Sequence, residues 1–184
     1  GRDAGPFEAW TGPLPLTIGF LFVVFGAYIA SVFLLDDCRR AGEDDLAEYF
    51  RVRAIAAAIL AGAFAACGLA AVRGEARYVF DGLISEGLPF LLASIVVGGL
   101  TLAGLIRGWR RALRPLAIGA VAAVIAGWAV AQYPFLLPES LKAQQAAGAE
   151  ETLLAVIIVF VAALVIVIPA LALLLWLSQK QVLE

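Results

Sequence analysis

The chain has 184 residues, of which 63% are hydrophobic and 15% charged, with a formal net charge of −2. That much apolar surface excludes an ordinary soluble domain, and the near-neutral charge excludes the electrostatic footprint of a nucleic-acid binder. Several runs reach the ~20 apolar residues that cross a bilayer, so the sequence predicts a single all-α, polytopic transmembrane bundle over residues 1–184.

Residues 1–13 read as an irregular entry containing Pro6, Gly12 and Pro13, with Trp10 as an interfacial anchor. The first predicted span is 14–35. Asp36 to Asp45 reads as a mixed-charge loop, and Asp45-Leu-Ala-Glu48 has the spacing of a capping box that opens the next helix. The second span is 54–72. Its small residues Ala54, Ala58, Gly62, Ala66 and Ala70 recur every four positions, a pattern that lets another backbone approach.

Residues 73–86 read as a short loop. The third span, 87–106, carries Pro89 in its first turn, where a missing N–H costs nothing. Arg107 to Arg114 forms a compact basic turn, suited to setting topology or to meeting anionic lipid. The fourth span, 115–133, repeats the small-residue stripe with Gly119, Ala123, Gly127 and Ala131. Residues 134–151 read as an outer loop. The fifth span, 152–177, begins after Glu150 and Glu151 and contains Pro169, where a kink is expected.

Arginines concentrate after spans one and three: Arg39, Arg40, Arg51, Arg53, Arg107, Arg110, Arg111 and Arg114. By the positive-inside rule the N-terminus lies outside and the C-terminus in the cytoplasm, which five spans satisfy. The chain starts at Gly1 and lacks Met, so it reads as part of a longer protein. Cys38 falls in the predicted charged loop and Cys67 inside an apolar helix. They are therefore not expected to pair, and Cys67 reads as a buried small hydrophobe.

The residue inventory argues against chemistry in this chain. It has neither His nor Met, and no charged residue falls in the middle of a span. Haem iron is held by His, Met, Cys or Tyr, and membrane proton paths need intramembrane ionisable groups. No catalytic, cofactor-binding or metal-binding residue is expected. The residues singled out for packing or lipid contact are Trp128, Gln132, Tyr133, Gly62, Gly119 and Gly127. Gln132 either hydrogen-bonds across helices or faces water at a helix end. Trp128 either anchors at the interface or packs on a neighbour.

The stretch Trp128-Ala-Val-Ala-Gln132-Tyr133-Pro134-Phe-Leu-Leu-Pro138 ends the fourth span with interfacial aromatics and two helix-stopping prolines. With an Ala-rich loop and Thr152-Leu after it, it resembles the C-terminal half of subunit II of the bd-type quinol oxidases. Trp10-Thr-Gly-Pro13-Leu-Pro-Leu, Leu46-Ala-Glu-Tyr-Phe50-Arg-Val-Arg53, Phe80-Asp81-Gly-Leu, Gly87-Leu-Pro89-Phe and Leu177-Ser-Gln179 are similar to that family in order and spacing. Lys142-Ala-Gln-Gln-Ala-Ala-Gly departs from it in the outer loop.

The resemblance implies a subunit of a bacterial inner-membrane respiratory oxidase that oxidises quinol and reduces oxygen to water. It implies haem b and haem d on a partner, subunit I, and a scaffolding role for this chain. Membrane lipid is an implied partner, with quinone as a further candidate; nucleic acid is not. The alternatives from other classes are a fragment of a secondary transporter and a non-enzymatic membrane assembly protein. Pro169 is the only broken-helix feature that favours the transporter, and no polar residues accompany it.

Overall fold

In the computed structural model, residues 11–133, 135–137, 141–142 and 150–179 are described. Among them are six helices: α1 (Pro13–Ala41), α2 (Asp44–Glu75), α3 (Arg77–Ile84), α4 (Leu88–Ile106), α5 (Leu113–Gln132) and α6 (Glu150–Gln179). Five of these, all but α3, are long and apolar enough to cross a membrane, matching the expected spans. A short antiparallel pair, β1 (Phe135–Leu137) and β2 (Leu141–Lys142), lies between α5 and α6, where only a loop was expected.

Two helical hairpins, α1–α2 and α4–α5, make the body. They join through contacts of α1 with α5 and of α2 with α4. The α1 helix begins with proline in its first turn and ends at Gly42, whose φ of 79° only glycine adopts without strain. The N–H of Glu43 closes this end on the carbonyl of Cys38 at 3.0 Å. One stripe of α1 is buried: Phe25, Tyr28, Val32, Leu35 and Cys38. It meets Ala47, Ala54, Ala57 and Ala61 of α2 in one cluster with Leu105, Leu113, Ala117 and Val121. Large side chains on one helix fill the space left by alanines on the other. In a bilayer this close fit, rather than escape from water, is what holds helices together.

Farther along the same hairpin Phe20 stacks on Phe64, with ring centroids 5.8 Å apart. Thr101, wholly buried, donates its hydroxyl to the Val97 carbonyl at 2.7 Å, so the polar group is satisfied within its own helix.

Several local expectations are corrected. The charged segment after the first span is not a loop. Helix α1 continues through Asp36, Asp37, Arg39 and Arg40, supported by the Asp36–Arg40 pair at 3.0 Å and by basic residues in its last turn. The capping box does not form. Asp45 sits inside the first turn of α2, and Glu48 turns to Arg51 instead. The segment after the second span contains α3, an amphipathic helix of about two turns that seats Val79, Phe80 and Leu83 against Val72, Ala131 and Trp128. The cysteines exchange the environments expected of them: Cys38 is buried and Cys67 is exposed, both free. Cys67 lies on the outward face of α2 because the buried seam of that helix runs through Ala54, Ala57 and Ala61. Pro169 lies inside α6, where the sequence placed it. Every residue described from Leu154 to Leu174 is exposed, and α6 makes no substantial contact with the other helices.

Candidate functional site

Polar groups tie helices together at the two ends of the body. At one end, α5 terminates in Trp128, Gln132 and Tyr133. The indole Nε1–H of Trp128 donates to Oε1 of Gln132 at 3.1 Å, one turn on. The hydroxyl of Tyr78, on α3, donates to the Gln132 carbonyl at 2.6 Å and lies 3.2 Å from the carbonyl of Tyr133. The last carbonyls of a helix have no partner in the helix itself, and Tyr78 supplies one from outside.

Glycine makes this approach possible. A Cβ on Gly82 would stand 2.5 Å from the Ala131 carbonyl, and one on Gly87 would stand 3.2 Å from that of Gly127. Gly127 itself faces the Cβ of Phe90, which a side chain at 127 would meet at 3.2 Å. A cleft of about 590 Å³ opens beside this junction, lined by Arg77, Tyr78, Asp81, Ser85, Glu86 and Tyr133, among others.

At the other end, arginines tie together four helices and a turn. Arg114 of α5 reaches α1, where its Nε lies 2.9 Å from Asp36 and its Nη2 donates to Asp37 and, at 3.0 Å, to the Phe33 carbonyl. The same guanidinium stacks over the Phe33 ring at 4.7 Å. Arg51 of α2 makes a two-pronged pair with Glu48, both contacts at 2.7 Å. Its remaining Nη1 caps the last carbonyls of α4, Leu105 at 3.3 Å and Ile106 at 3.4 Å. Arg39 donates to the Trp109 carbonyl at 2.7 Å. Trp109 lies over Gly104, where an added Cβ would meet its ring at 2.9 Å.

The six residues singled out from sequence fall in three settings. Trp128, Gln132 and Tyr133 form one junction with Tyr78. Gly127 and Gly119 lie on the α4–α5 seam, with the ideal Cβ of Gly119 3.6 Å from Val97. Gly62 has open space around it. A four-residue repeat drifts by about 40° per step around a helix of 3.6 residues per turn. The stripe therefore begins buried at Ala54 and turns outward by Gly62. Sequence reasoning missed Tyr78, Asp36 and Asp37 as cross-helix partners. The only signal was an aromatic in a short connector and an acidic pair at the end of a span.

This arrangement joins helices. Among the described residues no group of three or more His, Cys, Asp or Glu could hold a metal ion. The model of the family described as cytochrome bd terminal oxidase subunit II matches residues 2–178. The chain belongs to that family. No curated protein and no solved structure matches it at a significant level. With its five apolar spanning helices, this subunit II is a multi-pass membrane protein, and the family fits the bacterial inner membrane.

Haem is the cofactor such an oxidase implies, and the residues here do not fit it. The chain has no His and no Met. Cys38 is buried among apolar neighbours, Cys67 faces outward, Tyr28 is buried in the core and Tyr78 is committed to a hydrogen bond within the bundle. No step of a reaction is derived through haem in this chain.

Proposed function

We propose that this chain is the non-haem-ligating subunit of a bd-type oxidase that oxidises quinol and reduces oxygen to water. In this reading it packs against a haem-bearing subunit I and shields that subunit's cofactors from lipid. The carrying observation is the family match over residues 2–178 in a chain whose composition lacks the usual haem ligands. The interhelical clamps at both ends support a scaffold, because they fix helix positions while leaving long apolar faces outward. The arginine-rich end is the cytoplasmic one by the positive-inside rule, which places the N-terminus outside. The resemblance assigns the chain to the second half of a two-halved subunit.

The test is affinity purification through a tag at the C-terminus, followed by a reduced-minus-oxidised optical spectrum and oxygen uptake with added quinol. Haem b and haem d bands with quinol-dependent oxygen uptake are expected. A colourless, folded eluate would overturn the reading.

A further inference from the structure

The arginine-rich end contains a cavity that helix packing leaves unused. It has a volume of about 320 Å³ and is lined by Arg39, Asp44, Ala47, Glu48, Gly108 and Arg110. Its polar groups are unevenly committed. Glu48 gives both carboxylate oxygens to Arg51. Arg39 spends one nitrogen on the Trp109 carbonyl. Arg110 and Asp44 make no hydrogen bond or ion pair with any described residue. Arg39 and Arg110 are near enough for their positive charges to repel. Two guanidiniums facing one cavity, with a free carboxylate at its wall, leave room for a ligand that carries both signs of charge. Gly108, at φ 70°, forms part of the wall without a side chain.

The surroundings place this cavity at a lipid headgroup. Trp109, in the adjoining turn, is 39% exposed, as an interfacial tryptophan would be. Val52 and Ile106, about a turn farther along α2 and at the end of α4, are exposed apolar residues against which acyl chains can lie.

We propose that this cavity binds the phosphoethanolamine headgroup of a zwitterionic phospholipid. The phosphate diester sits on Arg39 and Arg110, and the ammonium group on Asp44. Guanidinium matches phosphate in a two-pronged geometry that a point charge cannot reproduce. The carboxylate of Asp44 pairs with the ammonium that a phosphoglycerol headgroup lacks, and it repels the extra negative charge of free phosphate. This inference rests on the membrane-spanning fold and not on the oxidase reaction, so each can fail without the other.

The test is native mass spectrometry of the delipidated full chain in the complex with which it purifies. It is titrated separately with phosphatidylethanolamine and phosphatidylglycerol of the same acyl chains. The wild type is expected to retain the ethanolamine lipid in preference. Arg110→Gln, which breaks no contact within the fold, should weaken that retention about tenfold, the scale of one charged hydrogen bond. Arg39→Gln should do the same, and Asp44→Asn should abolish the preference while leaving phosphatidylglycerol bound. Unchanged retention in Arg110→Gln would overturn the proposal, as would equal retention of the two lipids by the wild type. Displacement of the lipid by millimolar inorganic phosphate would also overturn it, showing a general anion site instead.

Discussion

The four-helix body and the last helix are both membrane-spanning, yet they are built on different rules. In the body, α1, α2, α4 and α5 interleave large and small residues, and Val32, Leu35 and Leu105 are almost wholly enclosed. Helix α6 is the most apolar of the five spans and has no glycine, and every described residue from Leu154 to Leu174 is exposed. Hydropathy therefore reports where a helix meets lipid, and small residues report where it meets another helix. The body also carries polar clamps at its ends, from Arg114, Arg51 and Tyr78.

The largest expected effect tests this contrast directly. Leu105→Ala should lower unfolding stability by roughly 3 kcal/mol, because it opens a cavity in the centre of the body. This is measured by reversible unfolding in mixed micelles, and a loss below ~1 kcal/mol would break the distinction. Arg114→Gln removes the partner of Asp36 and Asp37 across α1 and α5. It should cost roughly 2 kcal/mol, less than for a fully buried pair because Asp36 keeps some exposure. A double-mutant cycle with Asp36→Asn should show coupling between these two sites.

Gly127→Val forces a branched side chain against Phe90 and should cost about 1–2 kcal/mol by overpacking. The same change at Gly62, where nothing lies within reach, should be close to neutral; equal costs at 62 and 127 would contradict the seam described here. Tyr78→Phe deletes one hydrogen bond to the end of α5 and should cost about 1 kcal/mol. Faster amide exchange confined to the α3–α5 junction is the accompanying signature. The smallest effect belongs to α6: Ile158→Ala should change the stability of the isolated chain by less than ~0.5 kcal/mol. A loss comparable to that of Leu105→Ala would erase the comparison.

Much of this architecture is legible in the sequence because a bilayer imposes a length on apolar runs. Leu88–Ile106 begins one residue from the expected start, set by Pro89, and Leu113–Gln132 stops where Tyr133 and Pro134 demand. The ends of α1 and α2 are harder to read. Charged residues such as Asp36 and Arg40 extend a helix beyond the apolar run by pairing along it, and no hydropathy window records that. Face is harder still. A four-residue repeat on α2 names small residues correctly but drifts around the helix, so Gly62 and Cys67 turn outward while Ala57 and Ala61 turn inward. Cross-helix partners were not legible. Asp37 and Arg114 are 77 residues apart, and Tyr78 and Gln132 are 54 apart, so no local pattern joins them. The expectation that the chain supplies no cofactor ligand came from composition and does not depend on the fold.

The central claim is that this subunit holds helices in place while a partner carries the haem. Haem content per polypeptide tests it most directly, measured as the pyridine haemochrome of the chain after gentle separation from its copurified partner. The account predicts haem on the partner fraction and none retained by this chain. Stoichiometric haem travelling with this chain would contradict it, and would make Cys38, Cys67 or a tyrosine an iron ligand.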